Sequence, residues 1–419
     1  MTYLAFLYFF LLTLMHFFKN NKRADLPFLI MLMYTINSFL SIFVDKYNML
    51  GLNYHPSLLS TIVYCGLLTL CWLPFSRYSN LNINKVKAIS NTKALKIVAW
   101  VSFLWFVIYL YLYIDTLQLV LTGGDMLALR GMIYKGESIN VGQGLPVYLH
   151  IPFTLANCLF GCSWIFIFLA FFSKFIQKLP NKYFLLFLLT SLSGPLAGIV
   201  EVDRSKTTYW IISMVINFLF FSKFMTRKQR TWVMSVLAIF VTGGLIYIAN
   251  LTTARFDDYD SVAGLSGSFS GVLVYLGQSY INFCYFFDTF TPPYHTLAII
   301  FPSFFYFVLG DDLVGGTVLQ AHWDLLTGYS TGVFYTFMGH IMIFAGFFVL
   351  VVFCVLYSTI SNSILKRNVL KGGTLHSLFM YQALASVMAL GLFGHYYASY
   401  ILTFSLVFFY CFTKYLSKY

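Results

Sequence analysis

TYLAFLYFFLLTLMHFF (residues 2–18), KNNKRAD (19–25) and LPFLIMLMYTINSFLSIFV (26–44) together decide the fold. Neither flanking run contains a charged residue, and each is close to the roughly 20 apolar residues that an α-helix needs to cross the hydrocarbon core of a bilayer. The connection between them carries three cations. Thr2–Phe18 has no basic stretch before it and no small-residue cleavage site after it, so it reads as a span and not as a leader. The same alternation of apolar run and short polar connection continues down the chain. Further spans are expected near Pro56–Phe75, Leu95–Ile114, Val147–Phe172, Tyr183–Val200, Thr207–Ser222, Trp232–Asn250, Val333–Tyr357, Ser377–Gly394 and Tyr397–Thr413, which with the first two makes 11. With 59% hydrophobic and 10% charged residues, the expected fold class is an all-α polytopic membrane protein. A closed barrel would show alternating, not continuous, apolar segments.

The charges sort by connection. Lys19, Lys22 and Arg23, then the clusters at 77–96, 174–182, 223–230, 366–371 and 414–418, hold 20 of the 26 Lys and Arg against Asp25 alone. The alternate connections hold the other six cations and 13 of the 14 acidic residues. The positive-inside rule makes the first set cytoplasmic, with the amino terminus outside and the carboxyl terminus inside. The net charge of +12 therefore records orientation and gives no reason to expect nucleic acid. None of the seven cysteines forms a CxxC pair. Cys158 and Cys162, four apart on one helix face, read as packing residues, because no partnered His or carboxylate accompanies them to hold a metal.

The cytoplasmic connections contain little besides Lys, Arg, Asn and Ser. They offer no Gly-rich cradle for a nucleotide phosphate. The outer side has two long connections, 115–146 and 251–332, which read as loops with short amphipathic helices capping a single membrane domain (1–419). Val274–Phe290 is an amphipathic aromatic stretch of the second loop, and Thr296–Leu309, with Pro302 inside it, is an interfacial or re-entrant piece. Three outer arginines stand where orientation does not explain them: Arg130, Arg204 and Arg255. Arg204 belongs to Glu201-Val-Asp203-Arg204-Ser-Lys206, a turn between two spans. A guanidinium held at the membrane boundary suits bidentate phosphate recognition, which Lys performs as a point charge. Asp257, Asp258 and Asp260 follow Arg255. His322, beside Trp323 and Asp324, has the pairing for acid–base work or sugar binding. His340 and His376 read as packing residues, and His395 as an isolated one. Tyr275, Tyr280, Tyr285 and Tyr329 offer rings on which sugars stack.

The layout resembles the bacterial oligosaccharide repeat-unit polymerases, the Wzy-type O-antigen and capsule polymerases of the GT-C-like membrane glycosyltransferases. The resemblance lies in the span arrangement and in Gly198–Thr208, Gly123–Arg130 and the stretch from His322 through Tyr335 and Gly339. It implies glycosyl transfer between undecaprenyl-pyrophosphate-linked oligosaccharides at the periplasmic face of the inner membrane, with neither metal nor other cofactor. A chain-length regulator protein would be a partner, together with membrane lipids. Carried onto this chain, Arg204, Arg255 and Lys206 bind the donor pyrophosphate and Arg130 a second pyrophosphate or a sugar. His322 or Asp324 orients the acceptor hydroxyl. Asp203, Gln278, Tyr280, Asn282 and Tyr329 complete the expected substrate contacts. The alternative is a lipid-linked oligosaccharide flippase or polysaccharide exporter. Such carriers place charges within their spans, whereas here they lie at the span ends.

Overall fold

The computed structural model describes residues 1–121, 147–201, 203–256, 267–290, 324–325 and 334–418. The regular structure of these residues is helical: α1 (Thr2–Lys19), α2 (Leu26–Lys46), α3 (Leu58–Arg77), α4 (Lys93–Leu121), α5 (Val147–Phe160), α6 (Ser163–Phe171), α7 (Asn181–Ser191), α8 (Ser193–Val200), α9 (Arg204–Phe221), α10 (Arg227–Phe256), α11 (Gly267–Thr289), α12 (Thr336–Ala345), α13 (Phe347–Lys371), α14 (Leu375–Leu390) and α15 (Tyr400–Leu416). Among the described residues, eight helical segments are long and apolar enough to cross a membrane, or nine if the bent pair is counted as one span. That pair is α5 with α6, bent by 53°. The chain is a multi-pass helical membrane protein.

Three expectations change. The span drawn at Val333–Tyr357 is two helices meeting at Gly346: the ten-residue α12 and the 25-residue α13. α14 and α15, at 16 and 17 residues, rise only about 24–26 Å against a hydrocarbon thickness of about 30 Å. Among the described residues, the expected 11 full-length spans are matched by eight or nine helices of spanning length and three shorter apolar helices, α12, α14 and α15. The stretch expected as a short amphipathic piece at Val274–Phe290 is the 23-residue α11, with Tyr280, Phe283, Cys284, Ser279 and Asn282 at 0% exposure. Thr296–Leu309 lies outside the described residues.

The chain divides into two compact units. The first comprises residues 1–84, 259–371 and 380–403. In it α1, α2 and α3 alternate in direction, and polar groups tie both ends. At one end Asp25 caps α2 by accepting from the Phe28 amide at 3.0 Å. Its carboxylate also takes hydrogen bonds from His16 Nε2 at 3.0 Å, from Ser79 Oγ at 2.6 Å and from the Asn20 amide. The other ring nitrogen of His16 meets Ser76 Oγ at 3.1 Å. The charge that defines this cap is completely buried and fully bonded, which is the condition under which a buried carboxylate is tolerated. At the opposite end Thr2 Oγ1 donates to Asp45 at 3.0 Å, His55 Nδ1 meets Asp45 at 2.7 Å, and Asp288 at the end of α11 accepts from Ser57 and Ser60 of the α3 cap.

α11 lies against α2 with unusual closeness. A Cβ added to Gly277 would stand 2.8 Å from the Leu40 carbonyl carbon and 3.0 Å from the Ser41 nitrogen, both backbone atoms. Only glycine lets the two backbones approach this way, and Ser41 Oγ uses the gap to donate to Gly277 O at 2.5 Å. Small residues with interhelical hydrogen bonds are how helices associate where lipid removes the hydrophobic incentive.

The second unit comprises residues 85–258, 372–379 and 404–419. All nine residues of α6 are buried. Phe166 meets Phe409 edge-on at 5.5 Å, Trp164 stacks on Phe379 at 5.6 Å, and Phe168 packs on Phe221 at 5.7 Å. Aromatic pairs of this kind add about 0.5–1.5 kcal/mol each beyond the area they bury.

Candidate functional site

In the second unit the candidate is the turn between α8 and α9. α8 ends at Val200, and the Asp203 amide returns to Gly198 O at 2.7 Å. Gly198 permits that return: a Cβ there would stand 2.7 Å from Asp203 O and 3.0 Å from Thr207 Oγ1. Asp203 then caps α9, accepting from the Ser205 amide at 2.9 Å and from Ser205 Oγ at 2.6 Å. Lys206 Nζ pairs with Glu201 at 2.5 Å, both side chains being more than a third exposed. An exposed pair of this kind is worth about 0–1 kcal/mol and opens readily. Because a carboxylate already occupies the helix N-terminus, an anion arriving at this turn would be met by side chains more than by free backbone amides.

α10 runs antiparallel to α9 and buttresses the turn. Phe240 meets Trp210 at 5.5 Å and Tyr247 donates to Gly198 O at 3.2 Å. Arg255, in the last turn of α10, therefore lies eight residues, or about 12 Å, past the Tyr247 contact. Arg204 opens α9 at the same end of the unit. Glu201 is near enough for its charge to be felt at Tyr109 and Tyr113 of α4, so α4 also reaches this end, and it ends at Leu121, nine residues before Arg130. The backbone thus brings Arg204 and Arg255 to one end of one unit. The side chains of both, together with Arg130, Asp257, Asp258 and Asp260, lie outside what the structure describes.

In the first unit, Asp324 is half-buried and acts electrostatically on Tyr335. His322 and Tyr329 lie outside the described residues. Gln278, Tyr280 and Asn282 are placed differently from the loop expectation: all three are buried in α11. Tyr280 OH meets Thr61 Oγ1 at 2.7 Å, and Asn282 Nδ2 donates to Gln278 Oε1 at 3.2 Å and to Phe334 O at 2.8 Å. These groups tie helices together within the unit.

Sequence reasoning drew the segment entering α12 as part of one span, with His340 as a packing residue and no role for Thr336. Thr336 has φ +65°, a left-handed conformation costly for a β-branched residue. It is completely buried, and its hydroxyl has no hydrogen-bond partner. One turn later His340 Nε2 is enclosed and also without a partner. The His395 ring lies 5.8 Å from the His340 ring, centroid to centroid. Among the described residues no group of three His, Cys, Asp or Glu is placed to hold a metal ion.

Compared with family models, curated proteins and solved structures, the chain matches none. What the helices themselves show is a polytopic α-helical membrane protein.

Proposed function

We propose that the chain polymerises polyprenyl-pyrophosphate-linked oligosaccharide repeat units, transferring a lipid-linked glycan onto the terminal sugar of a new lipid-linked unit. The glycan is an O-antigen, capsule or exopolysaccharide. Arg204, assisted by Lys206 and Arg255, holds the donor pyrophosphate, and Arg130 holds a second pyrophosphate or a sugar. His322 or Asp324 orients or deprotonates the acceptor hydroxyl. The leaving group is an already activated pyrophosphate, so fixed cations that stabilise its developing charge supply the main electrostatic requirement. The membrane is the bacterial inner membrane, with the Lys-rich connections cytoplasmic, the amino terminus outside, and α14 and α15 completing eleven crossings.

The observation that carries the reading is the common end of α9 and α10. The helix positions that carry two arginines orientation does not explain lie at one end of one unit, and the α8–α9 turn there holds a Lys–Glu pair weak enough to yield to phosphate. The test is glycan laddering in cells lacking the chromosomal copy and expressing Arg204→Lys or Arg255→Ala at wild-type level. Each is expected to shorten or abolish the ladder. Wild-type polymer from both variants would refute the pyrophosphate assignment.

A further inference from the structure

Three features coincide on one helical turn of the first unit. Thr336 is held at φ +65° although it is β-branched, a strain that persists only where surrounding structure imposes it and that collects at ligand sites. Its buried hydroxyl and the enclosed Nε2 of His340 are both left without partners. Thr336 opens α12 and His340 lies four residues on, so both groups belong to the first turn of this helix. Buried polar groups are normally bonded, so each exception requires an explanation, and a bound hydroxyl group would satisfy both of these.

The surroundings define the occupant. His395 faces His340 from the segment after α14. Neither 334–346 nor 391–399 contains a Lys, Arg, Asp or Glu, and the charge that reaches Tyr335 is the carboxylate of Asp324, so a phosphate or carboxylate would find no counter-charge on these segments. Two imidazoles fall short of the three protein ligands of a catalytic zinc. Aromatic rings surround the pair: Tyr335 at 6.0 Å and Phe344 at 4.7 Å from His340. A hydroxyl that both donates and accepts, next to a neutral imidazole nitrogen and flanked by aromatic faces, is the recognition chemistry of a neutral saccharide.

We infer that Thr336, His340 and His395 form a subsite for neighbouring hydroxyls of a neutral sugar. Resting on the polymerase reading above, this is where the acceptor sugar is gripped. His340 Nε2 accepts from one hydroxyl, and the Thr336 hydroxyl bonds the next. Thr336 tolerates its strained backbone because the tertiary structure needs a hydroxyl at that point.

The strain supplies a test that separates grip from scaffold. In Thr336→Gly the backbone penalty disappears along with the hydroxyl. Full-length protein in lipid nanodiscs would be probed by saturation-transfer NMR with methyl glycosides of glucose, galactose, N-acetylglucosamine and rhamnose, and its melting followed in parallel. Wild type is expected to bind at least one glycoside. Thr336→Gly should melt no lower than wild type yet lose at least fivefold in saturation transfer, Thr336→Ser should stay within twofold, and His340→Ala should lose at least tenfold. The inference is overturned if wild type saturates no glycoside or if Thr336→Gly binds like wild type. It also fails if His340→Ala binds undiminished while melting lower, the signature of a buried structural water. Laddering in complemented deletion cells is scored separately. Glycoside binding without laddering by the wild-type chain refutes the polymerase reading and leaves the sugar subsite standing. A normal ladder from Thr336→Gly with unchanged glycoside binding does the reverse.

Discussion

Gly198→Ala is the substitution on which the α8–α9 turn stands or falls. The added methyl would sit 2.7 Å from Asp203 O, 3.0 Å from Thr207 Oγ1 and 3.3 Å from Lys206 Cβ. The first of these is backbone and cannot swing aside, so the turn must retreat by roughly 0.7 Å to restore ordinary van der Waals contact. Retreat stretches the 2.7 Å bond from the Asp203 amide to Gly198 O. Overpacking costs about 1–3 kcal/mol, and a weakened backbone hydrogen bond adds about 0.5–1.5 kcal/mol, which gives an expected loss of about 1.5–4.5 kcal/mol. The functional effect should exceed the loss in stability. Arg204 opens α9 immediately after the displaced residue, and misplacing a binding group by about 1 Å costs on the order of 10²-fold. Gly243→Ala is the matched control: nothing lies within 4 Å of its Cβ, and removing a helix-interior glycine should leave stability unchanged or raise it by up to about 1 kcal/mol. The two variants would be compared by melting in nanodiscs and by glycan laddering at matched expression. If Gly198→Ala melted and polymerised like Gly243→Ala, the turn would not depend on this close approach, and the geometry assigned to Arg204 and Lys206 would be wrong.

Two further outcomes are expected in the first unit. Gly277→Ala forces α11 away from the Leu40–Ser41 backbone, contacts of 2.8–3.0 Å that involve no flexible side chain. It should cost at least about 1–3 kcal/mol, read as a lower melting temperature, and wild-type melting would mean that α11 does not touch α2 at this point. Asp25→Ala removes the acceptor for His16, Ser79, Asn20 and the Phe28 amide. Breaking a buried pair of this kind costs about 3–5 kcal/mol. A chemical-denaturation midpoint unchanged from wild type would show that the network is not formed.

The helices that sequence finds easily are those whose physics is local. α1 and α2 are apolar over almost their whole length, with a Lys or Arg near at least one end, and their boundaries follow from counting, whereas α4 runs seven residues past the expected Ile114 through Asp115 and Gln118. α11 escapes that reading because its polar residues are turned inward. Ser270, Gly277, Gln278, Ser279 and Asn282 lower its mean hydropathy, yet the serines, the glutamine and the asparagine are buried, and Gly277 meets the backbone of α2. A length-and-hydropathy rule penalises the very residues that let two helices join in a membrane. The division at Gly346 is invisible for the opposite reason. α12 and α13 are both apolar, and the run Phe337–Leu356 gives composition no cause to stop.

The two candidate regions differ in the same respect. Arg204 and Arg255 stand out in the amino-acid sequence because charge is additive: once the orienting cations are removed, few remain, and a guanidinium among them has a short list of uses. Thr336 announces nothing in the sequence. Its left-handed backbone accompanies a bond between the Phe337 amide and Gly391 O at 2.7 Å, made by a residue 54 positions away. The His340–His395 approach likewise joins segments whose proximity no spacing rule encodes. A conformation imposed from that distance is not a local preference. The strain stored at Thr336 is therefore itself an observation about tertiary structure, and a glycine there would have avoided it at the loss of one hydroxyl. That the chain carries threonine at this position is the reason to test the hydroxyl before the histidine.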